Sequence, residues 1–282
     1  MCNDDRTVPE GKVQRDIVPN VYGRHVRGGG TPGEIVILSP VMDRCSMRSP
    51  APPLAVGTAI GVVAIWNVVT NLWLPAVLYV PWNLGIATGL VALARSAGCD
   101  AADLGFERRH LSRSLGVGAV GAGLVAAGYG VVLLTDPGID MLRDERATSP
   151  TTTGAMWQVL MRIPLGTVLA EEVTFRGVLP ALLASPGRPR WLPGALSSLL
   201  FGLWHLLPSL ELSRANAAVG RLAGQESPAV VLALAFGFTT LAGGAFHLLR
   251  RRTGHLAAPM LVHLATNVLG FLAARLAAST SN

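Results

Sequence analysis

Inside the apolar run from Met156 to Leu183 the chain sets Glu171 and Glu172 side by side and adds Arg176 one helical turn later. Ionisable groups at bilayer depth are costly and persist only where they face other protein or a water-filled cavity. A helix of this composition cannot stand alone in lipid, so other helices have to enclose it. At helical spacing Glu172 and Arg176 share a face and can pair, while Glu171 points about 100° away and is left to meet neighbouring helices. The spacing therefore predicts one acid with a structural partner and one available for chemistry.

The rest of the chain offers the helices that this requires. Half of the 282 residues are hydrophobic and 14% are charged, against about 25% charged in an average soluble domain. Seven apolar runs approach the length of about 20 residues needed to cross a bilayer. They are Leu54 to Leu72, Leu74 to Leu93, Leu115 to Leu134, Met156 to Leu183, Leu192 to Leu207, Ala229 to Leu249 and Gly254 to Ala274. The expected fold is all-α, a polytopic transmembrane helical bundle of about seven spans. Residues 1–50, rich in Pro, Gly and mixed charge, are expected to be a disordered cytoplasmic tail. Residues 51–276 are expected to form one integral-membrane domain with its motifs in 156–273, and 277–282 a short tail. The segment Asp103 to Ser114 has spaced apolar residues and a basic side, which predicts a short interfacial helix.

The formal charge of +6 is carried almost wholly by Arg, since Lys12 is the single lysine. These Arg residues lie between apolar runs, where they act as orientation signals and not as a nucleic-acid footprint. With the amino terminus inside, inner segments hold eleven Arg and outer segments five, so a multi-pass cell-membrane protein with a cytoplasmic amino terminus is expected. Cys2, Cys45 and Cys99 form no CxxC pair, which excludes a disulfide framework. There is no Gly-x-Ser-x-Gly elbow, no pair of intramembrane Asp residues and no P-loop, so serine, aspartyl and nucleotide chemistry are set aside.

Two further spans carry polar interruptions. Phe201-Gly202-Leu203-Trp204-His205 delivers one imidazole, and His263-Leu264-Ala265-Thr266-Asn267 sets a His and an Asn on one face. Together with the acids these types suit peptide-bond hydrolysis by an activated water. A Glu can act as base, an imidazole can hold the water or protonate the leaving amine, and imidazole and carboxamide can donate to an oxyanion. A zinc site is also compatible, with Glu171, His205 and His263 as ligands and one position open. Each group has a structural alternative as well: Glu172 with Arg176 as a packing pair, the histidines as hydrogen-bonded core residues, Asn267 as a link between helices.

Glu-Glu-x-x-x-Arg at Glu171, Glu172 and Arg176, Phe-x-x-x-His at Phe201 and His205, and His-x-x-x-Asn at His263 and Asn267 resemble, in order, the three motifs of the CPBP family of intramembrane proteases. That family includes the type II CAAX prenyl endopeptidases and bacteriocin-processing or immunity (Abi) proteins. Phe175-Arg176-Gly177 and Thr253-Gly254-His255-Leu256 extend the likeness, which covers roughly Met156 to Ala273. The resemblance implies that Glu171 and His205 activate the water, that His263 and Asn267 stabilise the oxyanion, and that Glu172 and Arg176 shape the site. It implies a membrane protein or peptide as substrate, the lipid bilayer as surroundings and no nucleic acid. No cofactor is favoured and zinc is possible, because no His-Glu-x-x-His helix is present and Asn is a poor zinc ligand. A non-catalytic immunity or scaffold protein on the same fold is the alternative.

Overall fold

The computed structural model describes residues 50–148, 151–216 and 228–279. The tail expected over residues 1–50 lies, Pro50 apart, outside them. Helices account for the architecture, and there is no strand among the described residues. In chain order they are α1 (Pro53–Leu72), α2 (Tyr79–Ser96), α3 (Leu111–Val132), α4 (Asp136–Leu142), α5 (Glu145–Thr148), a long composite helix α6 (152–183), α7 (Leu192–Trp204), α8 (Leu206–Ala215), α9 (Pro228–Thr253) and α10 (Ala257–Ser279).

Among the described residues five helices are each long and apolar enough to cross a membrane: α1, α2 with the turn before it, α3, α9 and α10. Their outer faces expose Leu54, Val120, Leu124, Val131, Phe238 and Leu241, as a lipid-facing surface requires. The sequence predicts about seven spans; the other two, over 156–183 and 192–207, do not qualify singly. The cause in one case is that α7 stops after 13 residues. In the other, α6 alternates α-helical turns with wider π-helical ones over Gln158–Leu169 and Val173–Val178. Pro164 lies in the first π stretch, where its missing N–H and its ring disfavour ordinary α-helical bonding.

The expected interfacial helix over Asp103 to Ser114 is not formed. Residues 101–105 are turns, Phe106 forms an isolated bridge to His255, Arg108–His110 is one 3-10 turn, and α3 begins directly at Leu111. Gly105, with φ +81°, lets this loop double back, and its carbonyl accepts the Leu256 N–H at 2.9 Å. The loop thereby anchors the start of α10. Gly254, at φ +76°, ends α9, its N–H reaching the Arg250 carbonyl at 2.8 Å. The first N–H groups of α10 then find side-chain acceptors: Ala257 donates to His255 Nδ1 at 3.0 Å and Ala258 to Ser114 Oγ at 2.8 Å. His255 is thus used as a helix cap. α10 continues to Ser279, through three of the six residues expected as a terminal tail.

Small residues set the spacing of the bundle. A side chain at Gly118 of α3 would come within 2.9 Å of the Ala258 backbone, and one at Gly121 within 2.5 Å of Val262. α3 and α10 therefore pack backbone to backbone, as small residues allow in membrane helices. The second half of α6 is enclosed: every residue from Ala170 to Leu182 is buried, with α1, α2, α7 and α9 packed on it.

Candidate active site

The acids occupy this enclosed half of α6. Glu172 is fully buried and Glu171 is 4% exposed. Arg176 Nη1 lies 3.2 Å from Glu172 Oε1, the i,i+4 pair that the spacing predicts. The guanidinium also lies between two rings, 3.9 Å from the Phe201 centroid and 5.0 Å from that of Phe246. A charge so dry needs both the carboxylate and the ring faces.

Glu172 does more than the sequence suggests. Its Oε1 is 2.8 Å from His263 Nδ1, so it joins α6 to the third motif on α10. A carboxylate on Nδ1 fixes that nitrogen as the donor and sets the ring plane. Phe246 stacks on the same ring at 5.2 Å. His263 Nε2 is thereby turned toward Glu171, 3.9 Å from its Oε2.

Glu171 is held from the other side. Trp204 Nε1 donates to its Oε1 at 3.0 Å, while Oε2 is buried without a hydrogen-bond partner. Trp204 is the functional residue that sequence reasoning passed over, although it stands next to His205 inside the second motif. It packs against Trp66 at 4.5 Å and Phe175 at 5.8 Å, which fixes the indole.

His205 is positioned by the end of α7. Pro208 has no N–H to offer Trp204 four residues back, so the helix cannot continue unbroken. Asn67 of α1 takes the Trp204 carbonyl instead, at 2.8 Å. The His205 N–H turns to Gly202, and its Nδ1 meets the Phe201 carbonyl at 2.8 Å. That contact occupies Nδ1 and leaves Nε2 as the nitrogen for chemistry. The imidazole lies within electrostatic reach of both Glu171 and His263, and the Phe201 ring separates the two imidazoles, 4.4 Å from one and 6.1 Å from the other.

Asn267 stands apart from this cluster. It is half-buried one turn beyond His263 and lines a cavity of about 570 Å³ with Arg162, Gln158 and Tyr129, a wall to which the acids do not contribute. The structure thus brings Glu171, Glu172, Arg176 and His263 into contact, sets His205 beside them, and leaves Asn267 on a neighbouring wall. As for a metal, one nitrogen of His263 is engaged by Glu172 and one of His205 by a backbone carbonyl. Those contacts leave Nε2 of each ring open, as they would in a metal ligand, while among the described residues no three His, Cys, Asp or Glu side chains are grouped to hold an ion.

Residues 153–269 match the family model described as Type II CAAX prenyl endopeptidase Rce1-like. No curated protein and no solved structure matches the chain. The matched span contains all three motifs and every residue of the cluster above. Residues 153–269 are thus similar to that family, and together with the long apolar helices this likeness supports a membrane protein.

Proposed function

We propose that the cluster hydrolyses a peptide bond of a membrane-associated protein or peptide with Glu171 as general base and no metal. The observation that carries this is the asymmetry of the Glu171 carboxylate. Oε1 is held by Trp204, and Oε2 is buried with no protein donor. Glu172 Oε2 is likewise without a donor, but that carboxylate faces the Arg176 charge at 3.2 Å, so Glu171 is the acid left to take a proton.

In this reading Glu171 and His205 Nε2 hold the water. Its oxygen adds to the scissile carbonyl carbon as its proton passes to Glu171 Oε2. The oxyanion so formed accepts hydrogen bonds from Asn267 and, when the His263 ring carries a proton on each nitrogen, from His263 Nε2. Glu171 returns the proton to the leaving nitrogen and the C–N bond breaks. The oxygen of the water stays on the new carboxyl group. Glu172 and Arg176 touch no reacting atom; they position His263 and neutralise one another. The distribution of Arg supports an amino terminus on the cytoplasmic side.

The test is cleavage by the purified protein in liposomes, against S-prenylated peptides of CAAX type and unmodified membrane peptides, with and without chelator. Product from the wild type in both conditions, and none from Glu171→Ala, is the expected result. Turnover abolished by chelator and restored by zinc would overturn the metal-free mechanism, and turnover kept by Glu171→Ala would overturn the base.

A further inference from the structure

A second cavity lies where the loop from α6 to α7 meets the last turns of α9, and no residue of the Glu171 cluster lines it. It is small, about 50 Å³. At about 10–15 Å³ for each water-sized group, this is room for roughly four oxygen atoms and not for a length of chain. Arg188 and Arg190 line it from the loop, and His247 and Arg250 from α9.

These side chains differ in how they are engaged. Arg250 Nη2 donates to the carbonyls of Ala102, at 3.3 Å, and of Asp103, which holds the 100–107 loop against α9. The Asp103 carboxylate, on the same wall, accepts the Asp100 N–H through Oδ2 at 2.9 Å. Arg188 and Arg190 are exposed, and neither forms an ion pair among the described residues. His247 is wedged against the first turn of α7, where a side chain at Gly194 would fall 2.3 Å from its Nε2. Its Nδ1 is buried and has no hydrogen-bond partner, and a buried polar atom of that kind calls for one. The same turn of α7 adds the positive end of a helix dipole through Pro193. Three guanidinium groups against one carboxylate therefore surround a volume that fits one phosphate, the group that the guanidinium fork matches.

The depth of the cavity in the bundle selects the source of that phosphate. α9 is a span that ends at Thr253. Trp191, between Arg190 and Pro193, is 62% exposed, as a ring at the level of lipid headgroups is. Ala181 and Ala184 complete the wall with apolar surface, which suits the glycerol side of a lipid. A headgroup with its own ammonium would bring a cation to the guanidinium groups, and an anionic one brings none. We propose that this cavity binds the phosphodiester of an anionic phospholipid, held by Arg188, Arg190 and His247 Nδ1. The bound lipid joins the α6–α7 loop to the end of α9.

The test is native mass spectrometry of the full-length protein in neutral detergent, titrated with phosphatidylglycerol or with phosphatidylcholine of the same acyl chains, and with inorganic phosphate as competitor. One phosphatidylglycerol is expected to bind about 10- to 100-fold more tightly than phosphatidylcholine. Arg188→Gln combined with Arg190→Gln is expected to remove that preference without changing thermal unfolding of the lipid-free protein. His247→Ala is expected to reduce it several-fold, and His247→Asn, whose amide can replace the Nδ1 donor, to keep most of it. Arg95→Gln combined with Arg108→Gln removes the same charge from exposed positions at the same end of the bundle and is expected to leave the preference intact. Equal binding of the two lipids would overturn the proposal. An equal loss from both double variants would also overturn it, since a diffuse basic surface would then account for binding. Displacement of the lipid by millimolar phosphate would overturn the assignment to a lipid and leave a site for free phosphate.

Discussion

The two halves of α6 handle charge in opposite ways. From Ala170 to Leu182 the helix is enclosed, and there Arg176 has a carboxylate at 3.2 Å and two aromatic faces, while Glu172 has Arg176 and His263. Toward its start the same helix carries Arg162, half-buried beside a cavity and held by a neutral amide and one ring. The closed half pairs its charges with one another, and the open half leaves one beside a cavity. Glu171 stands between these cases, one oxygen tied to Trp204 and the other unoccupied by any donor. Glu172 Oε2 and both Arg176 Nη atoms also lack a hydrogen-bond partner, but these two groups face one another as opposite charges, whereas the Glu171 carboxylate is held by a neutral indole.

That contrast can be broken most severely at Glu172. Glu172→Gln leaves Arg176 buried without its counter-charge, and unfolding monitored in detergent should show a loss of about 3–5 kcal/mol. A variant as stable as the wild type would mean that the closed half is not held by its pair. Next comes Asn267→Ala, where an oxyanion donor is removed from the cavity wall. Steady-state kinetics should show kcat lower by about 10² to 10³ with little change in KM; an effect confined to KM would move Asn267 from the reaction to binding.

How much of this the sequence carries depends on the kind of constraint. Glu172 with Arg176 and the shared face of His263 and Asn267 follow from helical periodicity, and the enclosure of α6 follows from charge in an apolar run. The bond from Glu172 to His263 joins residues 91 positions apart, and no local pattern encodes it. Trp204 escaped notice because an indole in an apolar span reads as core, and only its neighbours in space show that its N–H serves Glu171. The expected helix at 103–114 failed for a tertiary reason. Gly105 and Leu256 pair instead, and the loop is spent on anchoring α10.

Smaller effects sharpen the comparison further. Trp204→Phe keeps the ring packing and removes only the donor to Glu171; a hydrogen bond to a charged group is worth about 1.5–3 kcal/mol, so turnover should fall by roughly 10- to 100-fold. No change would mean that the indole packs without positioning the base. Arg162→Gln should alter stability least, by under about 1 kcal/mol, since no buried partner is stranded. A loss comparable to that at Glu172 would place Arg162 in the closed half's network.

The most direct test is Glu171→Gln, which keeps the size of the side chain and an oxygen for the Trp204 donor while removing the basic carboxylate. With the substrate that the wild type cleaves, the predicted result is a fall in kcat of about 10² or more, with thermal unfolding and peptide binding unchanged. Retained turnover, or turnover lost only in proportion to folded protein, would contradict the assignment of Glu171 as the base.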